Sequence, residues 1–168
     1  MKKLALSALN DLFAAINAAE ALYIPADDAA GQASFTRWQA GMQLSKKLNT
    51  VRSAKDLFFP QVENLVDFRV EGKNLELVEH RAEVTPFVLF GVRACDCRSF
   101  EILDKVFLAE PVDTYYQTRR EHGTVVTMAC SRPEETCFCG AFGIDAADPA
   151  GDVTCWIAGD ALYWRANT

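Results

Sequence analysis

Two short runs of apolar, largely β-branched or aromatic residues stand out along this chain, Phe87–Val92 and Thr124 to Met128. Runs this short and this uniformly apolar predict strands buried on both faces, as in the interior of a parallel sheet. Cysteine follows each of them directly: Cys95 and Cys97 after the first, then Cys130, Cys137 and Cys139 after the second. Between the runs, Phe100, Leu103 and Phe107, with Ile102 and Val106 across the turn, predict a helix over Arg98 to Leu108. Beyond Pro111, Asp113 has the position of a cap for a second helix through Arg120. A helical crossover between two apolar strands makes a βαβ unit, whose strands are parallel. Both cysteine groups then meet at the carboxyl ends of the strands, the edge at which open α/β sheets bind ligands.

The flanking pattern is weaker. Leu6, Leu9, Phe13 and Ile16 recur at helical spacing and predict a surface amphipathic helix that ends before Ile24-Pro25. Ala26 to Ser34 is small and acidic and predicts a loop, with a short strand at Ala33 to Trp38. Ser53 caps a turn or two of helix before Phe58-Phe59-Pro60 stops it. Leu65 to Val70 and Leu75 to Val78 enclose Glu71-Gly72-Lys73-Asn74, a hairpin signal, and Glu83 to Pro86 leads into the first buried strand. A second hairpin is predicted where Val153 to Ile157 and Ala161 to Trp164 flank Gly159-Asp160. The expected fold is α/β, a mixed sheet with a parallel βαβ core flanked by helices and two hairpins. Residues 1–168 are expected to form a single domain that ends abruptly after its last strand, as a piece of a longer protein would.

Charge narrows the function classes. Seventeen Lys and Arg against twenty-three Asp and Glu leave a net charge of −6, with no basic run longer than a pair, which argues against nucleic-acid binding. Asp11 and Glu20 interrupt the first apolar stretch, so it does not read as a signal peptide. No segment approaches the roughly 20 apolar residues of a membrane span. A cytoplasmic location without membrane insertion is expected.

Five of the six cysteines fall between Cys95 and Cys139, in the pattern C-x-C, a long gap, then C-x6-C-x-C. Disulfide frameworks belong mostly to small secreted chains without a core, so metal is the better expectation for a half-hydrophobic chain with no export signal. Structural zinc favours C-x2-4-C knuckles, and the tighter C-x-C spacing fits an iron–sulfur site better. Zinc, and inert or disulfide-forming thiols, remain open alternatives on spacing alone. Cys155, beside Trp156 in an apolar run, is expected in the core. Cys97 is either a ligand or the first residue of the following helix, and Asp96 either a cap or an oxygen ligand to iron. Arg93, Arg119 and Arg120 are ordinary charges unless they lie near thiolates, where they would raise a reduction potential. Tyr115 and Tyr116 are expected to pack, and His80 and His122 to be surface or turn residues.

The segments L-F-F-P-Q-V-E-N-L (Leu57 to Leu65), F-G-V-R-A-C-D (Phe90 to Asp96), L-D-K-V-F (Leu103 to Phe107), D-T-Y-Y-Q-T-R-R (Asp113 to Arg120) and C-S-R-P-E-E-T-C-F-C (Cys130 to Cys139) resemble one family. It is the amino-terminal domain of iron–sulfur electron-transfer subunits, including those of anaerobic sulfite reductases and the beta subunits of sulfhydrogenases. Longer members carry a ferredoxin-like region with two C-x2-C-x2-C-x3-C-P runs after this domain, and no such run occurs here. The resemblance implies that Cys95, Cys130, Cys137 and Cys139 ligate one [4Fe–4S] cluster, at the R-x-C-D and C-x6-C-F-C positions. Cys97 departs from the pattern, which more often has an aliphatic residue there. The implied role is a non-catalytic electron relay among the other subunits of a reductase or hydrogenase complex. A zinc-bound or metal-free docking domain of such a complex is the alternative.

Overall fold

The computed structural model describes residues 1–80 and 84–168. Strand β1 (Lys2–Ala5) passes through a 3-10 turn into helix α1 (Leu9–Ala19), and β2 (Ala21–Asp27) and β3 (Ala33–Arg37) form an antiparallel pair. A separate hairpin, β4 (Val66–Glu71) and β5 (Asn74–Glu79), precedes β6 (Phe87–Val92). Helices α2 (Ala94–Phe107) and α3 (Thr114–His122) then lead to β7 (Gly123–Met128), and β8 (Val153–Ala158) and β9 (Ala161–Ala166) follow. The main sheet has the order β1-β9-β8-β7-β6-β2-β3. Its four central strands, β8, β7, β6 and β2, are mutually parallel, and the flanking pairings are antiparallel. The predicted mixed sheet with a parallel βαβ core is therefore the observed one.

The crossover through α1 travels from the β1 edge toward β2, whereas that through α2 and α3 travels the opposite way, from β6 to β7. Right-handed crossovers running in opposite directions must land on opposite faces of a sheet. Two cores result. Phe13 of α1 packs with Leu22, Ile24, Val88, Phe90, Val126 and Met128 on one face. Phe100 of α2 and Tyr116 of α3 pack with Phe58, Phe87, Leu89 and Val125 on the other.

Strand β6 departs from simple alternation at Gly91, where φ is +90° and the register against β7 slips between Phe90 and Val92. The bulge places Val92 on the same face as Leu89, in the α2 core. A Cβ at Gly91 would come within 3.0 Å of Pro25 Cδ, so the bulge and the proline of β2 fit against each other only without a side chain.

That fit explains one correction. The sequence pattern carries the first helix to the residues before Pro25, but the helix ends at Ala19, and Ala21–Asp27 is a strand containing the proline. Pairing of β2 with β6 covers only Ala21 to Tyr23, so Pro25 lies where no N–H is required on that side. A second correction concerns α2, which starts at Ala94 rather than Arg98 and takes Cys95, Asp96 and Cys97 into its first turn. The caps at Ser53 and Asp113 form as expected: Ser53 Oγ accepts from the Lys55 amide, and Asp113 Oδ1 from the amides of Tyr115 and Tyr116. The predicted lead into β6 falls partly, at Glu83, outside the described residues.

Candidate metal centre

Because β6 and β7 are parallel neighbours, the segments that leave their carboxyl ends emerge side by side. Cys95 lies on the first turn of α2, where the helix dipole favours a thiolate. The other three thiols belong to the loop 129–152 between β7 and β8. That loop is fixed at many points: the Cys130 amide donates to Ala146 O at 2.8 Å, and the Ile144 amide to Cys139 O at 3.1 Å. Trp156 Nε1 donates to Ala147 O at 2.7 Å. Near its tip, the Cys137 amide donates to Glu134 O at 3.0 Å while the Glu134 amide donates back to Cys137 Sγ at 3.3 Å. An amide aimed at sulfur is the kind of hydrogen bond that stabilises a thiolate ligand.

Electrostatics tie the two segments together. The chain packed around Cys95 raises its thiol pKa, and the charges of Asp96, Cys139 and Cys130 add to the rise. Burial likewise raises Cys130, opposed by the Arg93 guanidinium and reinforced by Cys139 and Cys137. Cys95 thus lies in the field of Cys130 and Cys139, and Cys130 in that of Cys137 and Cys139, and all four are at least partly accessible. Among the described residues, no three His, Cys, Asp or Glu side chains close around a single metal ion. Cys130, Cys137 and Cys139 line one hollow of about 400 Å³, and Cys95 lines a neighbouring one of about 200 Å³; Leu48 belongs to both.

Arg93, the residue before α2, organises this edge. Its Nε donates to Leu48 O at 3.1 Å, its Nη1 to Ala129 O at 3.2 Å and Met128 O at 3.4 Å, and its Nη2 to Lys47 O at 3.4 Å. One side chain therefore joins the start of the Cys95 helix, the end of the strand before Cys130, and the loop carrying Leu48.

The remaining sequence candidates separate cleanly. Cys97 is buried in the α2 core with Phe100, and its thiol pKa is pushed up to about 11, by burial first and then by Glu101. Asp96 accepts from Ser53 Oγ at 2.6 Å, and burial raises its pKa. Cys155 is 2% exposed and packs in the α1 core, as expected. Arg119 pairs with Glu63, and Arg120 with Asp104 at 3.1 Å. Tyr116 is buried with its hydroxyl on Asp104, Tyr115 donates to Leu65 O, His80 meets Asp67, and His122 Nδ1 lies 2.7 Å from Thr118 O. Sequence reasoning missed the loop 38–52 that supplies Leu48, since it has neither period nor motif.

No family model matches the chain, and no solved structure matches it. Over 67 residues, 40% of this chain, it is 46% identical to the sulfhydrogenase 2 subunit beta of Pyrococcus furiosus, and the matched stretch spans 20% of that protein.

Proposed function

We propose that this domain binds one [4Fe–4S] cluster through Cys95, Cys130, Cys137 and Cys139 and relays electrons inside a hydrogenase or reductase complex. The observation that carries the reading is that two neighbouring parallel strands lead into the segments bearing the four thiols, with Cys95 and Cys130 each in the field of Cys139. Likeness to a protein described as a sulfhydrogenase beta subunit supports it independently. The donor set fits the group: soft thiolates match iron, and a cubane takes four of them. When bound, such a cluster supplies reversible one-electron transfer.

The chain's own part is to hold the ligands and to set their charge. Cys95 lies in the first turn of α2, whose dipole opposes the rise that burial gives its thiol pKa, and the Glu134 amide donates to Cys137 Sγ. Arg93 offsets the negative charge at Cys130. Cys97 and Asp96, both engaged elsewhere, are left out of the ligand set in this proposal. Electrons would pass between a ferredoxin-like region beyond this domain and other members of the complex, and the domain itself carries no substrate chemistry.

A second reading, a zinc-bound or metal-free docking domain, draws on the β4–β5 hairpin. Its register places Phe68 opposite Leu77 and Val70 opposite Leu75, making one apolar and exposed face. Electron paramagnetic resonance of the reduced, anaerobically reconstituted chain separates the two readings. A signal that disappears in Cys137→Ser and persists in Cys155→Ser supports the relay, whereas loss on Cys155→Ser alone contradicts the ligand assignment.

A further inference from the structure

We propose that the hollow above the carboxyl ends of β2, β6 and β7, on the α1 side of the thiols, binds a small organic anion with an apolar body. Its volume is about 520 Å³, inside the range of roughly 300–1,000 Å³ typical of small-molecule sites. Its position is the crevice at which doubly wound sheets take ligands. The proposal does not depend on iron at the cysteines.

Three anchored segments build the walls. Leu6 opens the 3-10 turn and Leu9 the helix α1 that follows it, and the Leu6 amide is fixed to Asp160 O at 2.8 Å. Leu44 and Leu48 come from the loop 38–52. That loop is held by the Ser45 amide on Pro25 O at 2.8 Å and Ser45 Oγ on Asp27 Oδ1 at 2.8 Å. Met128 and the chain after it form the third wall, joined to Leu48 by Arg93. Gly91, with its positive φ, leaves no side chain where the walls meet. A cavity whose walls are held in this way is ready to bind without reordering the chain.

The rim decides the class of ligand. Lys46, Arg93 and Arg132 face the hollow against one carboxylate, Glu134, although the whole chain carries a net charge of −6. Arg93 is occupied by main-chain carbonyls. Lys46 and Arg132 are exposed and have no ion-pair partner among the described residues, which leaves both to meet a carboxylate, sulfonate or phosphate. The leucines, Met128 and Ile157 then accept the apolar body.

Equilibrium dialysis of the reduced 168-residue chain against 8-anilinonaphthalene-1-sulfonate tests this, with N-phenyl-1-naphthylamine as the same body without the anion. The expected result is one sulfonate probe per chain, with the neutral probe about tenfold weaker or worse. In Lys46→Glu/Arg132→Glu, with unchanged circular dichroism, the preference should vanish and the sulfonate should bind about tenfold more weakly. Phe68→Ser/Leu77→Ser, on the exposed hairpin, should change nothing. No binding, equal affinity for the two probes, or binding lost only in the hairpin variant overturns the proposal.

Discussion

The guanidinium of Arg93 donates to the carbonyl oxygen of Ala129 at 3.2 Å, which joins the residue two before Cys95 to the residue one before Cys130. The two halves of the thiol group are thus registered by a side chain as well as by the pairing of β6 with β7. Arg93→Ala removes the donor from four carbonyls at once. It is expected to destabilise the fold by about 2 kcal/mol in urea denaturation. Arg93→Lys keeps the charge without the planar fork, and its stability should lie between that of Arg93→Ala and that of the unsubstituted chain.

Gly91→Ala should be more costly than a typical glycine substitution. The new Cβ meets Pro25 Cδ at 3.0 Å and Cγ at 3.1 Å on a backbone with φ +90°, and a loss of about 2–3 kcal/mol is expected. Gly72→Ala, in the β4–β5 turn, has nothing within 4 Å and only its φ of +64° to overcome, so about 1 kcal/mol is expected there. Equal denaturation midpoints for the two variants would contradict the close fit of the bulge against Pro25.

Burial pushes the Cys155 thiol up to about 12 from an ordinary 9.0. The folded chain therefore holds this proton at a pH where the unfolded chain releases it. The resulting stabilisation is complete below about pH 9 and is lost as pH rises toward about 12. Chemical denaturation between these limits should show stability falling with pH, and Cys155→Ala should flatten that slope. Iodoacetamide at pH 8 should leave Cys155 unlabelled in the native chain while the accessible Cys95 reacts.

The hairpin face should matter little to the domain's own stability. Phe68 is 72% exposed and Leu77 61%, so serine at both is expected to shift the unfolding free energy by less than about 0.5 kcal/mol. A large loss would mean that the face is covered in solution.

What the sequence revealed and what it hid follow from the range of the forces involved. Phe87–Val92 and its neighbour β7 were legible because strands covered by helices on both faces need an apolar residue at almost every position. The Asp113 and Ser53 caps were legible because capping is local. Ala21–Asp27 was hidden because a proline is normally a boundary, and its acceptance depends on a bulge 66 residues away that only the assembled sheet creates. The start of α2 was hidden because its N-cap residue is Arg93, whose guanidinium has donors only and cannot accept from the first helical amides, so no capping signal marks the boundary. Cys97 could not be separated from Cys95 by spacing. Helical positions two apart face nearly opposite sides of α2, so one thiol enters the Phe100 core and the other stays accessible at the sheet edge.

Cluster binding by the four thiols is tested most directly by counting iron, acid-labile sulfide and zinc per chain after purification and reconstitution without oxygen. About four iron and four sulfide are expected, falling sharply in serine variants of Cys95, Cys130, Cys137 or Cys139 and unchanged in Cys155→Ser. A chain that takes up no iron under these conditions, or holds about one zinc through the same thiols, contradicts cluster binding.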